Sequence, residues 1–262
     1  MTTMPAAPAD PSTEKLIALL TNGPQFAGPA ALLGLKHLNC QIYVHDPSFS
    51  DDARLKAFAS AHDGVIPLAG NRLSVANDVM KAEGRLDILI ENPAPRGEAH
   101  VTYDADVEAL DAWLNDAARE LITEPFELLN FVAKVMRQRS RGVIILLTSE
   151  SWEKPQHGSV FYSAMRAAYP CLALGAARDL APSGIQVNCV SPNFLESKEY
   201  YPPALWSQPK MQKELAGLVP VGRLQTAGEL GNLIGFLASG PNPFLTGSTI
   251  KVDGGALVSA GV

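Results

Sequence analysis

Short apolar runs alternate along this chain with longer stretches whose apolar positions recur every three to four residues. The runs LIALL (16–20), QIYVHD (41–46), VIPLAG (65–70), LDILIENP (86–93), GVIILLTS (142–149), IQVNCVSPN (185–193) and STIKVDGG (248–255) predict strands. Several are near-continuous Val, Ile and Leu, the pattern of strands covered on both faces of a parallel sheet. Between them, DDARLKAFASAH and RLSVANDVMKAEG have the period of amphipathic helices, and two long helical segments, 104–120 and 124–139, precede the fifth strand. Such alternation builds an α/β domain with a doubly wound parallel sheet of about seven strands and helices on both faces. Residues 194–209, FLESKEYYPPALWSQP, interrupt the pattern with a long aromatic and Pro-rich loop after the sixth strand. Loops of this length in compact domains are usually functional or disordered, and the aromatics here favour an ordered wall.

Composition narrows the class without naming it. The 262 residues suit one domain with a substantial core, and the composition, 47% hydrophobic and 18% charged, is that of an ordinary globular protein. A net charge of -6 argues against nucleic acid or an anionic membrane as partner. No apolar run approaches the ~20 residues needed to span a bilayer. MTTMPAAPADPSTEK lacks the charged and apolar regions of a signal peptide and reads as a disordered leader over 1–14, with the domain running from 15 to 262. Cytoplasmic localisation is the expectation. Cys40, Cys171 and Cys189, odd in number and unrelated in spacing, read as buried core thiols, and no metal-binding spacing is present.

Candidate chemistry begins with YSAMR (162–166). Tyr162 and Arg166 lie four apart on a helical segment and so share a face. A phenol ordinarily ionises near pH ~10 and is a poor base at neutrality; a fixed cation one turn along stabilises its anion. Thirteen residues before Tyr162, Ser149 ends an apolar strand, at the strand end where doubly wound sheets bind ligands. Serine and tyrosine placed in this way converge on one substrate oxygen. A lone YxxxR is usually a surface pair, and a lone serine at a strand end is usually a cap; it is their register together that carries the reading.

In this register the chain resembles the short-chain dehydrogenase/reductase superfamily, a Rossmann-like fold carrying Ser, Tyr and Lys, over nearly all of its length after residue 15. SPNF (191–194) and VDGG (252–255) belong to the same resemblance. Two features depart from it. Arg166 replaces the lysine, keeping a cation but not its grip on a nicotinamide ribose. The superfamily's phosphate loop, TGxxxGxG, here reads TNGPQFAG (21–28): Asn22 and Phe26 replace the first two glycines, Gly23 is one place out of register, and Gly28 alone remains. Those glycines let backbone approach a pyrophosphate, and Phe26 puts a benzyl group there instead. Asp46, in HDPSF after the second strand, stands about where an acidic residue would bind a ribose hydroxyl, or simply shapes a turn with His45 and Pro47. Asn92 replaces part of the pattern expected after the fourth strand.

Ser149, Tyr162 and Arg166, together with Phe26, HDPSF and SPNFLES (191–197), resemble the halohydrin dehalogenase family, cofactor-independent relatives of those dehydrogenases. LVPVGRL and FLASG are shared more widely. The resemblance implies that Tyr162 deprotonates a vicinal haloalcohol, Ser149 positions its oxygen, and the alkoxide displaces halide to give an epoxide, with no cofactor and no metal. In reverse, a small anion such as halide, azide, cyanide or nitrite opens the ring. It places the halide among Phe26, Pro192, Asn193, Phe194 and Leu195, and lines the substrate pocket with Trp152, Tyr200, Tyr201 and Trp206. For each of these aromatics, ordinary burial is the competing reading, and His157 reads as a loop residue. The partners implied are a haloalcohol or epoxide and a small anion. A homo-oligomer, a tetramer built as a dimer of dimers through the helical pair at 104–139 and the apolar tail GALVSAGV, is implied as well. The alternatives are an NAD(P)-dependent oxidoreductase with a degenerate loop and a binding protein on a catalytically dead scaffold.

Overall fold

The computed structural model describes residues 14–93 and 106–258; the leader before Glu14, the end of the apolar tail and part of the stretch after the fourth strand lie outside them. Seven strands, β1 (Leu16–Leu20), β2 (Cys40–His45), β3 (Val65–Leu68), β4 (Ile88–Glu91), β5 (Gly142–Leu147), β6 (Ile185–Pro192) and β7 (Thr249–Val252), form one sheet in the order β3-β2-β1-β4-β5-β6-β7. Every pair is parallel. The chain reverses its direction across the sheet between β1 and β4, the switch point outside which doubly wound sheets open a crevice.

Two apolar layers explain the near-continuous strand runs. Alternate residues of a strand face opposite sides, so Ala18 and Leu20 of β1 join one core and Ile17 and Leu19 the other. The first core packs under α1 (Gly28–Lys36), α2 (Asp52–Ala61) and, much further along the chain, Leu230, Ile234 and Leu237. The second packs under α3 (Arg72–Glu83) and residues 128–136 and 169–180.

The two long segments before β5 are α4 (Val107–Ala118) and α5 (Glu124–Arg139), but no break separates them. A wider π-type turn, Arg119–Thr123, carries one into the next and buries Leu121. Chemistry-bearing α6 (Val160–Leu180) follows β5. The 194–209 loop is ordered and contains a single-turn helix, α7 (Pro203–Trp206), ahead of α8 (Pro209–Leu218). Finally α9 (Ala227–Ser239) starts at a capping box, Thr226 with Glu229, and lies against α1. The contact is backbone to backbone: a Cβ on Gly34 would stand 2.4 Å from the Gly231 carbonyl oxygen. One expectation about the cysteines fails. Only Cys189 is buried, while Cys171 is exposed on the outer face of α6 because its apolar neighbours, not the thiol, fill the core side.

Candidate active site

The carboxyl ends of β1, β4, β5, β6 and β7 converge on one side of the sheet, and the candidate residues gather there. Thr148, the residue after β5, donates its hydroxyl to the Arg166 carbonyl at 2.8 Å, tying the strand end to the middle of α6. Ser149 is half-buried and extended; its Oγ accepts the Ser151 N–H at 3.4 Å, which leaves the Ser149 O–H as a donor. One turn of α6 separates Tyr162 from Arg166, as their spacing predicts.

Arg166 is the most unusual group in the molecule. It is fully buried, and its three guanidinium nitrogens fall short of full hydrogen-bond geometry, with the Tyr162 and Tyr200 hydroxyls as the polar groups near them. Aromatic rings enclose it instead. Its Cζ lies 4.8 Å from the centre of the Tyr162 ring and 5.6 Å from that of Phe26. Phe26 meets Tyr200 edge to face at 5.7 Å and 87°. The Tyr200 hydroxyl lies beside Tyr162 and Arg166, short of hydrogen-bond geometry. Burial opposes the Arg166 charge, but the phenols of Tyr162, Tyr200 and Tyr169 outweigh it and hold the guanidinium pKa above its ordinary value. Burial, with Tyr162 close by, pushes the Tyr200 hydroxyl well above the usual tyrosine range.

The loop Thr21–Gly28 explains how Phe26 reaches this place. Asn22 and Phe26 have φ of 44° and 48°, a left-handed conformation natural to glycine and a genuine outlier for a bulky residue. The loop has thus kept a glycine backbone after losing the glycines. Several of its N–H groups are committed, Asn22 to His45 Nδ1, Gly23 to the His45 carbonyl, Gln25 to the Asn22 carbonyl and Gly28 to the Gln25 carbonyl, whereas those of Phe26 and Ala27 have no acceptor among the described residues. The Asn22 side chain donates to the Asn92 carbonyl, and Asn92 returns bonds to the carbonyls of Asn22 and Gln25. Asp46 is spent as well, accepting Ser48 N–H on one oxygen and the Gln25 amide on the other. These residues fit a dinucleotide poorly: the Phe26 ring stands where a glycine backbone would meet a pyrophosphate, and the Asp46 carboxylate is already paired. Gly28 is required because a Cβ there would stand 2.3 Å from the Gly23 carbonyl oxygen. Below the loop, Arg72 holds Glu91 at 3.3 Å and Glu124 at 2.7 Å, while Thr21 donates to Glu91 at 2.7 Å.

The turn after β6 is the second strained element. Phe194 has φ of 50°. Asn193 N–H goes to the Val252 carbonyl, Phe194 N–H to Asn193 Oδ1 at 2.8 Å and Glu196 N–H to the Gln225 carbonyl. Among the described residues, the Leu195 N–H of this turn has no acceptor. Tyr201 donates its hydroxyl to Asn193 Oδ1 at 3.3 Å and packs between Phe194 and Trp206, at 5.4 and 5.2 Å.

In front of these elements opens a cavity of about 610 Å³. Tyr162, Asn193, Phe194, Tyr200, Tyr201 and Trp206 line it. Pro192 and Leu195 are buried, Leu195 in the core beneath, so their contribution to the turn is backbone rather than side chain. Trp152 is a correction: it does not line the cavity, because the single turn Glu150–Trp152 turns Glu150 and Ser151 to it instead. Ser149, half-buried, is not among the residues lining the cavity either. Sequence reasoning missed Glu150, Trp113 of α4 and Leu257; only Glu150, a carboxylate directly after a buried strand, left a readable trace. His157 is exposed at the rim. Among the described residues no group of His, Cys, Asp and Glu is arranged to hold a metal, and no helix is long and apolar enough to cross a membrane.

Comparison with known proteins gives this geometry its context. The family described as Enoyl-(Acyl carrier protein) reductase matches residues 70–256. NADPH-dependent reductase BacG of Bacillus subtilis (strain 168) is 26% identical over 261 residues, covering 94% of this chain and 99% of its own. Among solved structures, halohydrin dehalogenase HheC bound to ethyl (2S)-oxiran-2-ylacetate superposes with a TM-score of 0.85 at 31% identity, covering 92% of this chain and 96% of that one. A structure described as a dehalogenation enzyme gives 0.84 at 28% identity, over 92% and 98%.

Proposed function

The chain belongs to the short-chain dehydrogenase/reductase superfamily, in the family described as Enoyl-(Acyl carrier protein) reductase, and from that premise we propose that it converts vicinal haloalcohols to epoxides without a nicotinamide. The observation that carries the reading is Arg166. A fully buried cation with only phenol hydroxyls and aromatic rings around it, and no carboxylate, is costly unless an anion completes it, and the Phe26 ring covers it at 5.6 Å.

In this reading Tyr162 takes the hydroxyl proton of the substrate, with the Arg166 guanidinium 4.8 Å from the centre of its ring. Ser149 gives its free O–H to the same oxygen. The oxygen attacks the neighbouring carbon, the carbon–halogen bond breaks, and halide leaves with the bonding pair, so that the products are an epoxide, a halide ion and a proton. The free Leu195 N–H and the ring edges of Phe26 and Phe194 suit a weakly hydrated anion. Because Asn193 Oδ1 takes the Phe194 N–H, that amide is not part of the halide site. In reverse, Tyr162 protonates the epoxide oxygen as an anion opens the ring. Residues 15–262 act as one catalytic domain. Assembly of copies belongs to the proposal too, and an apolar groove between α5 and α6, with Phe126, Leu129 and Leu172, supports it.

Purified protein given 1,3-dichloro-2-propanol or 2-bromo-1-phenylethanol, with no nucleotide, is expected to release halide and epoxide in equal amounts. Release from none of a varied panel defeats the proposal. The similarity to BacG favours a second reading, an NADPH-dependent reductase; tight NADPH binding with carbonyl reduction would establish it.

A further inference from the structure

Glu150 is used by nothing described so far. It follows Ser149 directly, is 1% exposed, and stands in the wall of the main cavity, yet neither carboxyl oxygen reaches full hydrogen-bond geometry to a donor, the Asn193 side chain alone coming close enough to favour its charged form by hydrogen bonding. A buried carboxyl left in this state costs several times the worth of an ordinary hydrogen bond, and its position one residue from the reacting serine gives the cost a use. Its polar neighbours come from every strand end around it: the Asn193 side chain after β6, Asp253 after β7, Glu153 on its own turn, and Lys251 of β7, which pairs with Glu153 at 2.6 Å. Lys251 is thereby committed to Glu153. Asp253 is committed to the Gly255 and Leu257 N–H groups, so it shapes the C-terminal turn that carries Leu257 into the cavity. Beside Glu150, the Ser151 Oγ is also buried without a partner.

The cavity is far larger than a three-carbon haloalcohol requires. At about 610 Å³ it falls in the range of pockets that take drug-sized ligands, lined mostly by apolar and aromatic groups with a few polar ones to fix orientation. Trp113, Phe194, Tyr201 and Trp206 supply the aromatic wall, and Glu150 is its carboxyl.

We propose that Glu150 is the acceptor of a second subsite in this cavity, which binds a hydroxyl or ammonium group on the tail of a bulky, ring-bearing substrate. The inference rests on the proposed function only for the reacting end of that substrate. Glu150 orients the far end and touches no reacting atom. Burial, with Asp253 nearby, pushes its pKa up to about 8. The carboxyl is therefore neutral over much of the physiological range unless a cationic donor arrives. A hydroxyl is accepted in either protonation state. An ammonium group binds more tightly as the pH rises through 8.

The test compares 2-bromo-1-phenylethanol carrying a 4-methyl, 4-hydroxymethyl or 4-aminomethyl group. Wild type is expected to favour the two donor-bearing compounds in kcat/KM by ~10-fold or more, because a site built to hydrogen-bond a group rejects the analogue that lacks it. Glu150→Leu removes both preferences, whereas Glu150→Gln keeps the hydroxyl preference and loses the ammonium one. Thermal melts of both variants establish that they are folded. Calorimetry with 4-(aminomethyl)benzyl alcohol against 4-methylbenzyl alcohol reads the subsite without turnover: wild type binds the amine more tightly, and Glu150→Leu does not. Equal preference in wild type, or a preference that survives Glu150→Leu, overturns the subsite. Absent halide release with an intact calorimetric difference overturns the dehalogenase reading instead.

Discussion

Replacing Arg166 with methionine should abolish activity and leave the protein at least as stable as before. Methionine replaces the shaft of the side chain with an unbranched apolar one, shorter than arginine, while removing its charge. In wild type that charge is fully buried, and aromatic rings at 4.8 and 5.6 Å are its surroundings in place of a carboxylate. Taking such an ion out of water costs several kcal/mol even after relaxation, and each desolvated cation–π contact returns ~2 kcal/mol. The balance is close to zero or unfavourable, and exchanging buried ionic groups for apolar ones of similar volume has stabilised proteins by about 1–4 kcal/mol. At ~2 °C per kcal/mol for a chain of this size, the midpoint should stay level or rise by up to ~8 °C. The assay is a thermal melt in halide-free buffer, followed by a bromide titration. Bromide at 100 times its Kd should stabilise wild type by about 2.7 kcal/mol and leave Arg166→Met unmoved. A variant destabilised by more than ~1 kcal/mol without halide, or stabilised by bromide as wild type is, would refute the argument that this cation is completed by an anion.

Tyr162→Phe and Ser149→Ala should each lower kcat for halide release by ~10²–10⁴-fold, with circular dichroism spectra unchanged; a Tyr162→Phe enzyme retaining a tenth of wild-type activity would remove the tyrosine from the chemistry. Gly28→Ala forces a Cβ to 2.3 Å from one backbone oxygen and 2.8 Å from another, and should destabilise by about 1–3 kcal/mol in a denaturant titration. Burial, helped by the Arg72 charge, lowers the His45 pKa to about 4 from an ordinary 6.5. Unfolded chains then bind the extra proton between those values, so the His45 contribution is complete above pH 6.5 and is lost as pH falls towards 4. Relative to His45→Gln, wild type should lose about 1.4 kcal/mol per pH unit across that window, and equal slopes would exclude it.

The fold was legible, and so was the shared helix face of Tyr162 and Arg166, because each rests on local regularity. Seven apolar runs gave seven parallel strands, since strands buried on both faces leave no polar alternation to misread. The YxxxR spacing fixed Tyr162 and Arg166 on one helix face before any packing was known. What stayed hidden depends on contacts between distant segments. TNGPQFAG reveals that glycines are gone, but not that Asn22 and Phe26 keep the left-handed backbone, nor that Asn92 staples the loop shut across 70 residues. Glu150 and Ser151 line the cavity where Trp152 was expected, because a single turn decides which of three consecutive side chains meets it. Tyr200 and Tyr201 are adjacent in sequence yet serve different walls, one against Phe26 and the other against Trp206, a division set by the path of the loop rather than by residue type.

On the proposed function, a groove that holds a dinucleotide in the superfamily serves a small anion beside Arg166. Anomalous diffraction from a crystal soaked in bromide and NADPH together tests it most directly. One ordered bromide among Phe26, Phe194 and the Leu195 N–H is expected, with no nucleotide density. An ordered dinucleotide lying across Thr21–Gly28, with the loop opened and no bromide beside Phe26, would contradict it.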